Sequence, residues 1–150
     1  MAFVLIQHLD PTHESALATI LSRATKMPVT EAKDAMRVEP NQVYIIPPNT
    51  DLALSDSQLR LQPRSLTHGQ HMPIDFFFRS LAEMKGGNAI GVILSGSGSD
   101  GALGLQTIKA EHGITFAQDE KTAKYPQMPL SAMATGCVDF VLSPEAIAKE

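Results

Sequence analysis

From Ala89 to Gly113 the chain reads as one strand, loop and helix, and that unit restricts the fold more than any other stretch. Ala89-Ile90-Gly91-Val92-Ile93-Leu94 is an unbroken apolar run, Ser95-Gly96-Ser97-Gly98-Ser99-Asp100-Gly101 is a loop of small residues, and a helical pattern follows as far as Gly113. An apolar residue at every position is what a parallel strand covered on both faces requires. The fold class that follows is α/β, a doubly wound, mainly parallel sheet of Rossmann-like form with helices on both faces. Ligands of such sheets bind beyond the carboxyl ends of the strands, so the loop is where chemistry is expected.

Two mechanisms compete for that loop. Gly96, Gly98 and Gly101 satisfy G-x-G-x-x-G between a strand and a helix, and Asp119 closes the next strand at about the distance of a ribose-binding acid. Against a dinucleotide stands Asp100, an acid at the start of the helix, expected to accept that helix's free first-turn N–H groups. A phosphate would compete for the same donors and meet a like charge. The acid points instead to a hydrogen-donating partner, and a histidine is the obvious one.

The 12 Lys+Arg against 16 Asp+Glu leave a net charge of −4 with no basic run, which excludes a nucleic-acid footprint. The single cysteine, Cys137, has no internal disulfide partner and reads as a small buried residue rather than a nucleophile. Met1-Ala2-Phe3-Val4-Leu5-Ile6 is too short for a signal peptide or a membrane span. A soluble, cytoplasmic protein of one domain over residues 1–150 is expected.

Taken in order, Ala2 to Ile6 reads as an interior parallel strand running into Gln7-His8, and a chain that begins on such a strand suggests that an upstream strand is missing. Asp10-Pro11 opens a helix with Leu17, Ile20 and Leu21 on its apolar face, ending at Arg23. Short strands are expected around Pro28-Val29 and at Val43 to Ile46. A hairpin joins Leu52-Ala53-Leu54 to Leu59-Arg60-Leu61, and residues 62 to 71 form a polar loop. Ile74, Phe77, Phe78, Leu81 and Met84 mark an amphipathic helix closed by Gly86-Gly87, with Phe76 off its stripe and free to line a groove. Beyond Gly113 come a strand over Ile114 to Gln118, a helix over Met128 to Thr135 and a strand over Val138 to Leu142. Ser143-Pro144 starts a last helix, cut short at Glu150, so the C-terminus reads as truncated too.

His8 and the Ser95 to Asp100 loop both stand at carboxyl ends of strands. An Asp that receives one ring N–H of a histidine fixes its tautomer and leaves the other nitrogen as a general base. Taken singly, His8 is equally well read as a backbone-bonded strand-end histidine, and Asp100 as a plain helix cap. The third member of a triad is absent: no Gly-x-Ser-x-Gly elbow occurs, and Ser95, Ser97 and Ser99 share the acid's own loop, where small polar residues serve the turn. His68 and His71 do not make a metal pair, because no further ligand stands near them in the chain and they read as a solvated loop. His13 and His112 read as surface residues of helix ends.

Phe3-Val-Leu-Ile-Gln-His8-Leu-Asp-Pro, Tyr44-Ile-Ile-Pro-Pro-Asn49, Val92-Ile-Leu-Ser-Gly-Ser-Gly-Ser-Asp100-Gly101-Ala and the stretch from Ala117-Gln-Asp119 to Met128-Pro129 together resemble a known family. It is the catalytic domain of the chemotaxis protein-glutamate methylesterases, in the variant fused to a receptor methyltransferase. The resemblance runs in order over essentially the whole chain. It implies a Ser-His-Asp hydrolase acting on glutamate methyl esters of chemoreceptors, and deamidating certain glutamines, in two-component chemotaxis signalling.

Carried over by position, His8 matches the family's general base and Asp100 the acid that orients it. The implied partners are a methylated chemoreceptor or other signalling protein and a fused methyltransferase or receiver domain, without nucleic acid, membrane insertion, metal or cofactor. The family's nucleophile lies in a Gly-Ala-Ser turn after a strand upstream of the one that begins here, and no such turn occurs in these residues. The chain by itself is therefore expected to lack serine-dependent hydrolysis, either as a truncated piece of an active enzyme or as a non-catalytic interaction domain, and the open strand edge is expected to make it marginally stable or oligomeric.

Overall fold

Val43, Tyr44, Ile45 and Ile46 are all buried, as a strand sandwiched on both faces must be. They form β4 (Val43–Ile45), with β1 (Phe3–Leu5) and β2 (Val29–Glu31) hydrogen-bonded in parallel on its two sides. The structure, a computed structural model, describes residues 1–8, 16–64 and 70–150. The Asp10-Pro11 helix start, His13 and His68 lie outside the described residues. The chain divides into two units, Met1–Pro73 and Ile74–Glu150.

In the first unit, α1 (Leu17–Ala24) packs beside β2. Leu17 and Leu21 are half-buried, whereas Ile20, expected on the same apolar face, is 59% exposed. The hydroxyl of the buried Tyr44 accepts the Glu39 N–H at 2.8 Å and donates to the Arg37 carbonyl at 3.2 Å, so the one polar side-chain atom on the central strand is satisfied as donor and as acceptor.

A second, antiparallel sheet has the order β3 (Met36–Arg37), β6 (Gln58–Pro63), β5 (Thr50–Ser55). The expected hairpin is present and longer than its apolar residues suggested, since β6 continues through Pro63 into the stretch expected to be loop. Asp56 and Ser57, with φ of 49° and 62°, make the two-residue left-handed turn whose twist matches that of the flanking strands. β3 has no sequence signal of its own; two residues suffice because β6 is there to pair with.

The second unit begins on α2 (Pro73–Lys85), the expected amphipathic helix, with Ile74, Phe77, Phe78 and Ala82 buried and Phe76 half-buried. Gly86, with φ of 48°, ends it in a short 3-10 turn through Asn88. β7 (Ile90–Ile93), β8 (Ile114–Gln118) and β9 (Phe140–Leu142) then form a parallel sheet in that order. α3 (Ala102–Ala110) and α4 (Gln127–Ala134) pack on β7 and β8, and α5 (Pro144–Ile147) on β8 and β9. Ser143 caps α5 by accepting the Ala146 N–H, as its sequence predicts. Phe116 and Phe140, opposite each other across β8 and β9, stack with centroids 5.1 Å apart. Cys137 is half-buried beside Thr135 rather than fully buried.

One expectation about the sheets is corrected. The apolar run at Ala89–Leu94 predicts an interior strand, yet among the described residues β7 stands at the edge of a three-stranded sheet; β1 is an edge strand too, in keeping with the open edge expected for it. Phe3 is 45% exposed and Leu94 42%. An apolar run reports what covers a strand above and below; which strands lie beside it depends on pairing, which the run does not encode.

Candidate active site

The loop after β7 is built from glycines for three different reasons. A Cβ at position 96 would overlap Met128 Sδ, so only glycine lets α4 lie against the loop. Gly98 adopts φ of 87° in open space. Gly101, at φ of 92°, passes so close to Ile74 that a Cβ would stand 2.7 Å from that side chain's Cγ2.

Backbone hydrogen bonds from Gly96 N–H to the Tyr125 carbonyl (2.8 Å) and from Met128 N–H to the Gly96 carbonyl (3.0 Å) pin the loop to the start of α4. Ser95 is committed to the same joint: its N–H donates to Gln118 Oε1 and its hydroxyl accepts the Tyr125 N–H at 2.9 Å. That is the turn-serving role expected for a serine here.

Asp100 departs from expectation. Its own helix, α3, is capped by Gly101 with no side-chain cap, and the Asp100 carboxylate turns to α2 instead. Oδ2 accepts the Ile74 N–H at 3.0 Å and Oδ1 accepts the Asp75 N–H at 2.9 Å. Pro73 opens α2 without an N–H, so Ile74 and Asp75 carry that helix's next free donors. The close pass of Gly101 over Ile74 brings the carboxylate within their reach.

The exchange is reciprocal. Asp75, in the first turn of α2, accepts the Gly104 N–H in the first turn of α3 at 2.6 Å. Gly104 must be glycine for this, since a Cβ there would stand 2.6 Å from Phe78 Cβ and 3.0 Å from Asp75 Cα. Two carboxylates are thus buried beside two helix N-termini whose partial positive charge offsets theirs, with Asp100 2% and Asp75 4% exposed. Burial pushes the Asp75 carboxyl above its ordinary range; the Asp100 charge adds to the shift and the Gly104 N–H opposes it.

Both halves of the dinucleotide reading meet occupied groups. The Gly104 N–H, a donor a pyrophosphate would use at the start of α3, is held by Asp75. Asp119, the candidate ribose acid, accepts the Thr122 N–H at 2.9 Å in the turn after β8.

In the first unit, His8 follows β1 and is exposed. His71, expected in a solvated loop without a carboxylate near it, is instead only 13% exposed in its side chain, with Nε2 2.6 Å from Oδ1 of the buried Asp51. Those residues stand 20 positions apart, and nothing in the local pattern announces their pairing. His8 lies in the first unit and Asp100 in the second. Among the described residues no three His, Cys, Asp or Glu side chains form a metal-binding group, and no helix is long and apolar enough to cross a membrane.

The model of the CheB methylesterase family matches residues 1–150. The chain belongs to the CheB methylesterase family. Among its relatives is a protein-glutamate methylesterase/protein-glutamine glutaminase of Burkholderia lata, 36% identical over 99% of this chain and 44% of that one. An uncharacterized 104.1 kDa protein of Rhodobacter capsulatus is 42% identical over 87% of this chain and 14% of its own length. The crystal structure of the Thermotoga maritima CheB methylesterase catalytic domain superposes with a TM-score of 0.89 at 30% identity, covering 97% of this chain and 79% of that one. The chain therefore has the α/β fold of a CheB catalytic domain, and it spans less than half the length of these two curated relatives.

Proposed function

We propose that this chain is the part of a protein-glutamate methylesterase that supplies the general base and its orienting acid. The observation that carries the reading is the family match over all 150 residues. His8 is the base: a neutral imidazole nitrogen takes the proton from an attacking hydroxyl and returns it to the departing methanol. Asp100 receives the other ring N–H and keeps the tautomer. The fixed position of its carboxylate, with an α2 N–H on each oxygen, supports that role, because an acid so held keeps its aim through the reaction.

The hydroxyl comes from a Gly-Ala-Ser turn that is not among these residues. The substrates are glutamate methyl esters, and glutamine amides, of cytoplasmic segments of chemoreceptors, and the domain works in the cytoplasm without a cofactor. The similarity to a segment of a 104.1 kDa protein supports a fused architecture, with a methyltransferase or receiver domain as the neighbour.

The test is methanol release from a methylated receptor fragment. The 150-residue chain is expected to release none above background, and a chimera with a Gly-Ala-Ser segment ahead of Met1 is expected to turn over. In the chimera, whose added segment carries the Gly-Ala-Ser turn characteristic of the family, replacing His8 by Gln should lower kcat by on the order of 1,000-fold or more. Turnover that survives His8→Gln defeats the assignment of the base. Binding of the fragment without turnover by a well-folded chimera would make the chain an interaction domain instead.

A further inference from the structure

The Asp51–His71 pair has no part in the mechanism above, yet it lies against the proposed base. The rings of His71 and His8 meet edge to face, with centroids 6.1 Å apart and planes at 84°. All three residues belong to the first unit. We propose that Asp51 and His71 position the His8 ring, with His71 as the wall that sets its plane and Asp51 as the anchor that fixes the wall. This rests on the reading of His8 as the general base.

The anchor is rigid. Asp51 stands at the start of β5, between Thr50 and the fully buried Leu52, in register with Gln62 of β6, so the two-stranded ladder fixes its backbone. A carboxylate 2% exposed costs free energy unless charged or hydrogen-donating groups meet it, and the imidazole at 2.6 Å is such a group. That bond in turn fixes the tautomer and plane of His71.

The wall matters because of where His8 sits. It is an exposed residue just beyond a three-residue strand, and the Asp100 bond proposed above holds one ring nitrogen but does not by itself set the plane of the ring. General-base catalysis tolerates only about 0.5 Å and 10–20° of misplacement. An edge-to-face contact within the usual centroid range of about 4.5–7 Å removes rotamers without taking a ring nitrogen from the reaction.

The experiment is two-bond 1H–15N correlation spectroscopy of the histidine rings in the 150-residue chain. In the parent protein the His8 ring signals are expected to be displaced from free-histidine values by the neighbouring ring. His71→Gln keeps an N–H donor for Asp51, and so the local fold, but removes the ring; the His8 signals should then shift away from their parent positions, with partial averaging, while the amides of β1, β4 and β5 stay in place. Asp51→Asn keeps an acceptor for His71 and should leave the His8 signals near the parent positions, which is the conservative rescue.

In the ester-hydrolysing chimera, His71→Gln should lower kcat by roughly 10- to 100-fold at unchanged KM. His8 ring signals unmoved in a folded His71→Gln protein, with kcat retained, overturn the inference while leaving the base reading intact. If His8→Gln leaves hydrolysis unchanged, the base reading itself fails, whatever the spectra show. Should His71→Gln unfold, Asp51→Leu, which removes the anchor and keeps the ring, must produce the same averaging of His8 or the inference is overturned.

Discussion

Replacing Asp100 by Asn tests whether this residue holds two helices together as well as serving the proposed chemistry. Each carboxylate oxygen accepts one N–H, from Ile74 at 3.0 Å and Asp75 at 2.9 Å, at a site 2% exposed. Asn keeps one oxygen and points an NH2 group at the other donor. The buried N–H left without an acceptor costs about 1–3 kcal/mol. Weakening the surviving bond from charge-assisted to neutral costs about 1 kcal/mol, and removing the negative charge from the start of α2 costs about 0.3–1 kcal/mol. Part of this returns, because Asp75 loses the like charge that helps raise its pKa. The net expectation is a loss of about 2–4 kcal/mol.

For a chain of this size that corresponds to a fall in Tm of roughly 5–15 °C. Urea unfolding followed by circular dichroism measures it, and amide hydrogen exchange locates it, with Ile74 and Asp75 expected to lose protection before the amides of β8. A change below about 0.5 kcal/mol, with those two amides as protected as before, would refute the capping argument. The functional consequence is direct: a loss of ester hydrolysis in Asp100 variants of the chimera has to be corrected for the folded fraction before any of it is assigned to the proposed orienting of His8.

Gly104→Ala would set a Cβ against Phe78 Cβ and the Asp75 backbone and push α3 off α2, outweighing alanine's better helix propensity, so a net loss of about 1–3 kcal/mol is expected in urea unfolding; equal or greater stability would refute the contact. The Asp75 pKa is raised in the folded state from its ordinary 3.8, so its contribution is fully present below that value and is lost as pH rises through the folded value. Asp75→Asn keeps an acceptor for Gly104, and its stability relative to the parent should therefore improve between pH 3.5 and 7; a pH-independent difference refutes the assignment. Asp139 has the opposite sign. Its pKa is lowered, chiefly by the hydrogen bond from Lys109 and also by those from Thr115, so its contribution is present above the ordinary carboxylate pKa and lost as pH falls through the folded value; Lys109→Met should flatten that acid limb of the urea midpoint. His112 holds φ of 64° at the end of α3, a conformation that strains a side chain, so His112→Gly should raise stability by up to about 1 kcal/mol in thermal unfolding, and a fall would count against the strain argument.

The amino-acid sequence by itself determined the features whose physics is local. Helical spacing from Ile74 to Met84, the apolar run before the serine-glycine loop, two strands parted by Ser55-Asp56-Ser57-Gln58 and the Ser143-Pro144 cap each act within about a dozen residues, and each element formed where its pattern lies. That His8 follows β1 and Asp100 lies in the loop after β7 was also legible, because both strands end where their apolar runs end. Tertiary structure alone decided where the acids went. Asp100 accepts the Ile74 N–H of a helix 26 residues earlier, Asp75 answers from that helix to α3, and Asp51 finds His71 across 20 positions. A carboxylate accepts whichever donors the packed elements bring to it, and the lateral order of strands likewise depends on which edges meet; neither is written in any window of sequence shorter than the fold.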